Sequence, residues 1–188
     1  MCVICYIPKN EEMLKRKEFK LMWNKNNDGA GIMWIYDNQV HISKGYFDFE
    51  ALYEDLTNIK INYNCDMAVH FRWATHGGIN GGLCHPFPLS DKSNELFSLN
   101  NICEVGIMHN GVISIDNREG FSDTTEYIAK ELYPKYKKNK YFYLCSNDEI
   151  SERIGYGKLL FFSKYGINKV GEWKNYKGCW CSNLYWKY

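Results

Sequence analysis

His70-Phe71-Arg72-Trp73-Ala74-Thr75-His76-Gly77-Gly78 is the stretch on which the reading of this chain turns. Met67–Trp73 alternates in the manner of a strand, and the paired glycines that follow mark a turn. The run therefore brings Arg72, Thr75 and His76 to a strand end. A guanidinium presents a rigid fork that suits a carboxylate bidentately. Thr75 and His76 add a hydroxyl and an imidazole, and Gly77 lets backbone and ligand approach closely. Taken alone, the same segment is a strand-end arginine paired with a local acid.

Three further segments lie outward from it. In His109-Asn110-Gly111, a side-chain amide beside a glycine N–H is a two-donor pair suited to an oxyanion. Asn-Gly is also the strongest short-range hairpin signal, which predicts a turn between strands at Glu104–His109 and Val112–Ile115. Phe121-Ser122-Asp123-Thr124-Thr125-Glu126 opens a helix expected over Asp123–Leu132, with Ser122 or Asp123 as its cap. At the start, Met1 precedes the small residue Cys2, the usual setting for Met removal, which leaves Cys2 with a free α-amine. That amine has a reference pKa of about 7.7–8.0 and the thiol one near 8.5, so one residue combines a base with a nucleophile. The alternative is a buried thiol on a first strand.

Elsewhere, Cys2–Ile7 reads as a buried strand stopped by Pro8. Gly31–Tyr36 and Val40–Lys44 flank Asp37-Asn38 as a hairpin. Helices are expected at Glu11–Met22, Phe47–Leu56 and Asp148–Ile154, and strands at Lys158–Ser163 and Ile167–Trp173. Strands at both ends with helices between predict mixed α and β layers, not a βαβ winding.

The 188 residues, 45% hydrophobic and 16% aromatic, suit one domain with a substantial core and exclude disorder. A single domain over 1–188 is expected, with the motifs in 1–133 and a Trp/Tyr-rich part, 134–188, serving packing. A formal charge of +1 without a basic stripe argues against a nucleic-acid partner. No apolar run approaches the length of a membrane span. Met1–Lys20 lacks the apolar core of a signal peptide, so a cytoplasmic, reducing location is expected. The eight cysteines then do not read as a disulfide framework. Cys2-x-x-Cys5 and Cys179-x-Cys181 can in principle meet around zinc. The tight second spacing and apolar neighbours favour buried strand thiols, so no metal site is assigned. No phosphate loop or dinucleotide fingerprint occurs, and no cofactor is implied.

In order and content the segments resemble the class II glutamine amidotransferase domains of the N-terminal-nucleophile hydrolases. The pieces that match are Met1-Cys2, Asp28-Gly29-Ala30-Gly31-Ile32, Arg72-Trp73-Ala74-Thr75-His76-Gly77, His85-Pro86-Phe87, His109-Asn110-Gly111 and Ser122-Asp123-Thr124. The resemblance implies an α+β fold, a four-layer αββα sandwich of two antiparallel sheets. It implies hydrolysis of glutamine to glutamate and ammonia through a thioester on Cys2. Arg72 would hold the substrate α-carboxylate with Thr75 and His76 in the same pocket, Asp123 the α-ammonium, and Asn110 with the Gly111 N–H the oxyanion. The shortness of the chain adds the expectation of a stand-alone glutaminase or amidotransferase subunit, which either works with a separate ammonia-accepting synthetase subunit or hydrolyses its amide for its own sake. The alternatives are a γ-glutamyl peptide amidohydrolase and a non-catalytic glutamine-binding or partner-docking module. The family commonly has Gly after the nucleophile; here Val3 follows Cys2, and a Cβ there is expected to narrow the approach to the thiol. The family's Arg-Gly before Asp-x-Ala-Gly is replaced by Asn26-Asn27.

Overall fold

The computed structural model describes residues 2–74 and 78–188. Thr75, His76 and Gly77, and with them two of the expected pocket residues, lie outside the described residues.

Strand β1 (Val3–Ile7) runs near the middle of a seven-stranded antiparallel sheet. Its order is β10 (Lys174–Tyr176), β11 (Cys179–Cys181), β1, β4 (Met67–Phe71), β2 (Ala30–Tyr36), β3 (Gln39–Tyr46), β6 (Asn100–Cys103). The second sheet has four antiparallel strands in the order β5 (Phe87–Pro88), β7 (Val105–Asn110), β8 (Lys158–Ser163), β9 (Gly166–Val170). Helices α1 (Arg16–Lys25) and α2 (Phe49–Tyr63) cover the large sheet. On the small sheet lie α4 (Asp123–Tyr127), α5 (Tyr133–Lys138), α6 (Phe142–Cys145) and α7 (Asn147–Ile154), while α3 (Ser93–Leu96) is a single turn beside β5.

Strand periodicity builds the layers. Side chains two apart share a face, and Val3, Cys5 and Ile7 pack with Phe19, Met22, Leu52 and Leu56 under the first helix layer. Ile4 and Tyr6 point the other way and meet Met33, Met108, Leu160 and Phe162 between the sheets. Ile107, Leu159 and Phe161 face Tyr127, Ile128 and Leu132 under the second helix layer. Helix, sheet, sheet, helix is therefore the order of layers, as expected. Among the described residues no helix is long and apolar enough to cross a membrane.

Several expectations need correction. Asn110-Gly111 is not a hairpin turn: no strand forms over 112–115, and β7 pairs with β8 in the register His109↔Leu159, Asn110↔Lys158. The first helix begins five residues later than expected, at Arg16, and α2 runs on to Tyr63. The helix at Asp123 passes through a wider π turn over Ile128–Leu132 before α5. Pro134 accounts for part of this, since it has no N–H to return to the carbonyl of Lys130. Val3 is fully buried against the helix layer, so its side chain leaves the face that carries the thiol and does not narrow the approach to it.

Candidate functional site

The same alternation that builds the core assembles the site. Cys2 shares parity with Ile4, Asn110 with Met108, and Ser182 with Trp180, so all three belong to the inter-sheet face at one end of the sandwich. The side chains meet there. Asn110 Nδ2 donates to the Cys2 carbonyl (2.8 Å) and to Ser182 Oγ (2.8 Å). Asn183 Nδ2 donates to the same Cys2 carbonyl at 2.8 Å.

The thiol of Cys2 is half-buried. Its Sγ accepts from the Trp73 N–H at 3.2 Å and lies 3.5 Å from the Trp73 carbonyl. Burial pushes the thiol pKa up, while the Trp73 backbone and the Arg72 charge pull in the opposite direction. At neutral pH the net effect is a thiol that needs a base to become a nucleophile. Among the described residues its hydrogen-bond partners are backbone groups of Trp73, not a histidine.

Two matching segments meet behind Cys2. Asp28 N–H donates to the Arg72 carbonyl (3.0 Å), Arg72 N–H to the Gly29 carbonyl (2.8 Å), and Ala74 N–H to Asp28 Oδ2 (2.8 Å). This prolongs the β2–β4 pairing past the strand end and holds Arg72 and Trp73 beside Cys2. Arg72 is itself buried, with Nη1 donating to the Gly78 carbonyl at 2.9 Å.

Gly111 has φ +156°, and a Cβ there would sit 2.8 Å from Gly157 Cα and 3.0 Å from His109 Nε2. Only glycine fits this approach of the β7 end to the loop before β8. Beyond it, the irregular segment before α4 is pinned from the helix. Asp123 Oδ2 accepts from Ile113 N–H (2.8 Å) and Oδ1 from Thr124 N–H (2.7 Å), while Glu126 pairs with Arg118 (2.6 Å). Ser122, not Asp123, caps the helix, accepting from Thr125 N–H at 3.2 Å. The Asp123 carboxylate is thus committed in part to the backbone of the loop that follows Gly111.

Cys2, Trp73, Asn110 and Gly111 line one cleft of about 1080 Å³, together with Tyr156 and Tyr185. Arg72 and Asp123 are not among the residues lining that cleft. Of the residues singled out from sequence, the structure therefore joins Cys2, Asn110 and Gly111 directly, and sets Arg72 next to them through Trp73. Ser182 and Asn183 were not expected. No local pattern marks them, since Asn183 approaches Cys2, and Ser182 approaches Asn110, from far along the chain. The aromatic C-terminal part divides: Trp186 is buried in the core, whereas Tyr185 stands on the cleft. Cys5 meets Cys179 and Cys181 on the helix-facing side, away from Cys2. Among the described residues no cluster of three or more His, Cys, Asp or Glu is arranged to hold a metal ion.

Three histidines are buried behind the site. His70 Nε2 is 3.2 Å from the His109 carbonyl, His109 Nδ1 is 2.9 Å from Thr124 Oγ1, and the His70 and His85 rings lie 4.3 Å apart. Burial lowers the pKa of His70 to about 3 and of His109 to about 4, and lowers that of His85 well below the ordinary value. All three are neutral in the fold, so the unfolded chain takes up protons first as pH falls. Their contribution to stability is complete above about pH 6.5 and is lost progressively toward pH 4 and below. Thermal unfolding followed from pH 7.5 to pH 4 is expected to show a falling midpoint. His85→Phe, which replaces a ring whose nitrogens have no hydrogen-bond partner among the described residues, should flatten that decline; an unchanged pH dependence would contradict it.

No family profile matches the chain. Two curated relatives do, each a glutamine–fructose-6-phosphate aminotransferase (isomerizing). That of Pyrococcus horikoshii is 30% identical over 102 residues, covering 54% of this chain and 14% of the relative. That of Oceanobacillus iheyensis is 33% identical over 134 residues, covering 69% of this chain and 19% of the relative. Among solved structures, the glutamine phosphoribosylpyrophosphate amidotransferase of B. subtilis, complexed with ADP and GMP, superposes with a TM-score of 0.57 at 12% identity. The match covers 96% of this chain and 41% of that one. Fold, sequence and relatives together place the chain with the class II glutamine amidotransferase domains of the N-terminal-nucleophile type. It spans less than a fifth of the curated relatives' length.

Proposed function

We propose that this chain hydrolyses the side-chain amide of glutamine to glutamate and ammonia, with Cys2 as the nucleophile once Met1 has been removed. The observation that carries the reading is the convergence of Cys2, Asn110 and Gly111 on one cleft. In the proposed step the α-amine of Cys2 takes the thiol proton as Sγ attacks the amide carbon. The carbonyl oxygen becomes an oxyanion facing the Asn110 amide and the Gly111 N–H. The same amine returns the proton to the leaving nitrogen, ammonia departs, and water hydrolyses the thioester to glutamate. A thiol pushed up by burial and hydrogen-bonded to backbone fits a mechanism whose base is the residue's own amine.

Arg72 is assigned to the substrate α-carboxylate, with Thr75 and His76 beside it, and Asp123 to the α-ammonium. A zwitterionic amino acid needs one cation and one anion, and Asp123 keeps lone pairs beyond those used by Ile113 and Thr124. Where the ammonia is used in synthesis, its acceptor is assigned to a synthetase partner. Glutamate release from glutamine, measured with intact mass on the same preparation, tests the proposal. Activity is expected only in the species lacking Met1. Equal activity with Met1 retained, or none without it, would overturn it.

The cleft also favours a second reading, because its 1080 Å³ exceeds what glutamine itself would fill. A γ-glutamyl peptide would place its larger amine against Tyr156 and Tyr185. Faster hydrolysis of γ-glutamyl peptides than of glutamine would select that reading, and slower hydrolysis would reject it.

A further inference from the structure

The Cys2 carbonyl accepts from two side-chain amides at once, Asn110 Nδ2 and Asn183 Nδ2, each at 2.8 Å. A carbonyl only accepts, so both amides must present their N–H groups to it. The second N–H of Asn110 goes to Ser182 Oγ, which also accepts from Ile4 N–H at 2.9 Å. Ser182 in turn donates its own N–H to the Ile4 carbonyl at 3.0 Å, continuing the β1–β11 ladder. Both donors of Asn110 are therefore spent in the resting site. For Asn110 to face an oxyanion, one of them must be released.

The two acceptors differ in what a release costs. Ser182 Oγ is fixed by the sheet, and its bond holds the plane of the Asn110 amide. The Cys2 carbonyl keeps Asn183 when Asn110 leaves, so no buried acceptor is stranded. We propose that Ser182 and Asn183, which follow β11, are positioning residues for the reaction at Cys2. Asn183 holds the Cys2 main chain and frees one Asn110 N–H for the oxyanion, while Ser182 orients the Asn110 amide. This rests on the glutaminase reading above and deepens it, since it gives the end of the chain a part in the same site.

Asn183→Asp is the informative variant. It keeps the oxygen that accepts from Tyr185 N–H (3.2 Å) and the shape of the side chain, and replaces the donor to the Cys2 carbonyl with a carboxylate oxygen. Turnover of glutamine by this variant is expected to fall about 10- to 100-fold in kcat, with KM within about twofold, as misplacement at a reacting centre does. As pH is lowered from 8 to about 5 the new, desolvated carboxyl takes up a proton and becomes a donor again, so the deficit relative to the parent narrows. Ser182→Ala is expected to lower kcat with KM little changed, and Ser182→Thr, which keeps the hydroxyl, to recover part of it. Should the aspartate variant not fold, as judged by its thermal transition, the alanine and threonine pair decides. Parent-like kcat in a folded Asn183→Asp variant, or in Ser182→Ala, would overturn the inference while leaving the proposed function standing. A parent protein that releases no glutamate would overturn the proposed function, and the inference with it.

Discussion

Cys2→Ala is expected to release no measurable glutamate from glutamine while keeping the thermal midpoint of the parent within a few degrees. The loss is total because the thioester has no other origin in the proposed chemistry. Stability is spared because the thiol is half-buried and, among the described residues, bonded only to the Trp73 backbone, while the carbonyl that anchors the segment to Asn110 and Asn183 remains. Cys2→Ser is the companion. It keeps a hydroxyl of nearly the same size but a much weaker nucleophile, and should bind glutamine while turning it over orders of magnitude more slowly. Residual activity at the parent level in Cys2→Ala would remove Cys2 from the mechanism.

Asn110→Ala carries the second large effect. Removing one oxyanion donor costs about 2.7–4 kcal/mol of transition-state stabilisation, a loss of roughly 100- to 1000-fold in kcat. The structure adds a second consequence, because Asn110 also bonds the Cys2 carbonyl and Ser182 Oγ. Ser182 would lose a buried donor, so the variant should also be less stable, by about 1–3 kcal/mol in a denaturant titration. Asn110→Asp separates the contributions: it keeps the size but replaces the donor with an acceptor, and should lose activity as severely. A full kcat in either variant would take the oxyanion role away from Asn110.

The core strands were legible because they obey period two with buried residues on both faces. Val3–Ile7 is buried throughout and appears at nearly the expected limits. The hairpin at Asp37-Asn38 also holds, with both residues at positive φ, the backbone that such a two-residue turn requires. Short strands at or next to the sheet edges were not legible. β6 is Asn-Asn-Ile-Cys and β11 has three residues, too few for periodicity to emerge. The error at Asn110-Gly111 has a different origin. A turn signal is local, whereas the partner of β7 is a strand nearly fifty residues further on, and that pairing leaves no mark within the loop.

The site shows the same division. Arg72, Asn110 and Gly111 stand in short motifs whose residue types suggested the roles proposed for them. Asp123 was legible as a helix-start acid, but its bond to the Ile113 N–H depends on a loop whose path no periodicity describes. Ser182 reaches Asn110, and Asn183 reaches Cys2, because β11 pairs with β1 in the register Cys5↔Cys181. Long-range register is a property of the folded sheet, and a Ser-Asn pair after a short strand carries no signal of it.

The central claim is that Cys2, freed of Met1, is the nucleophile that attacks a γ-glutamyl amide. Labelling with an electrophilic glutamine analogue, followed by intact mass and peptide mapping, tests it most directly. The account predicts one adduct per chain, on an N-terminal Cys2 lacking Met1, formed more slowly when glutamine is present. An adduct on any of the other seven cysteines, or labelling that glutamine does not slow, would contradict it.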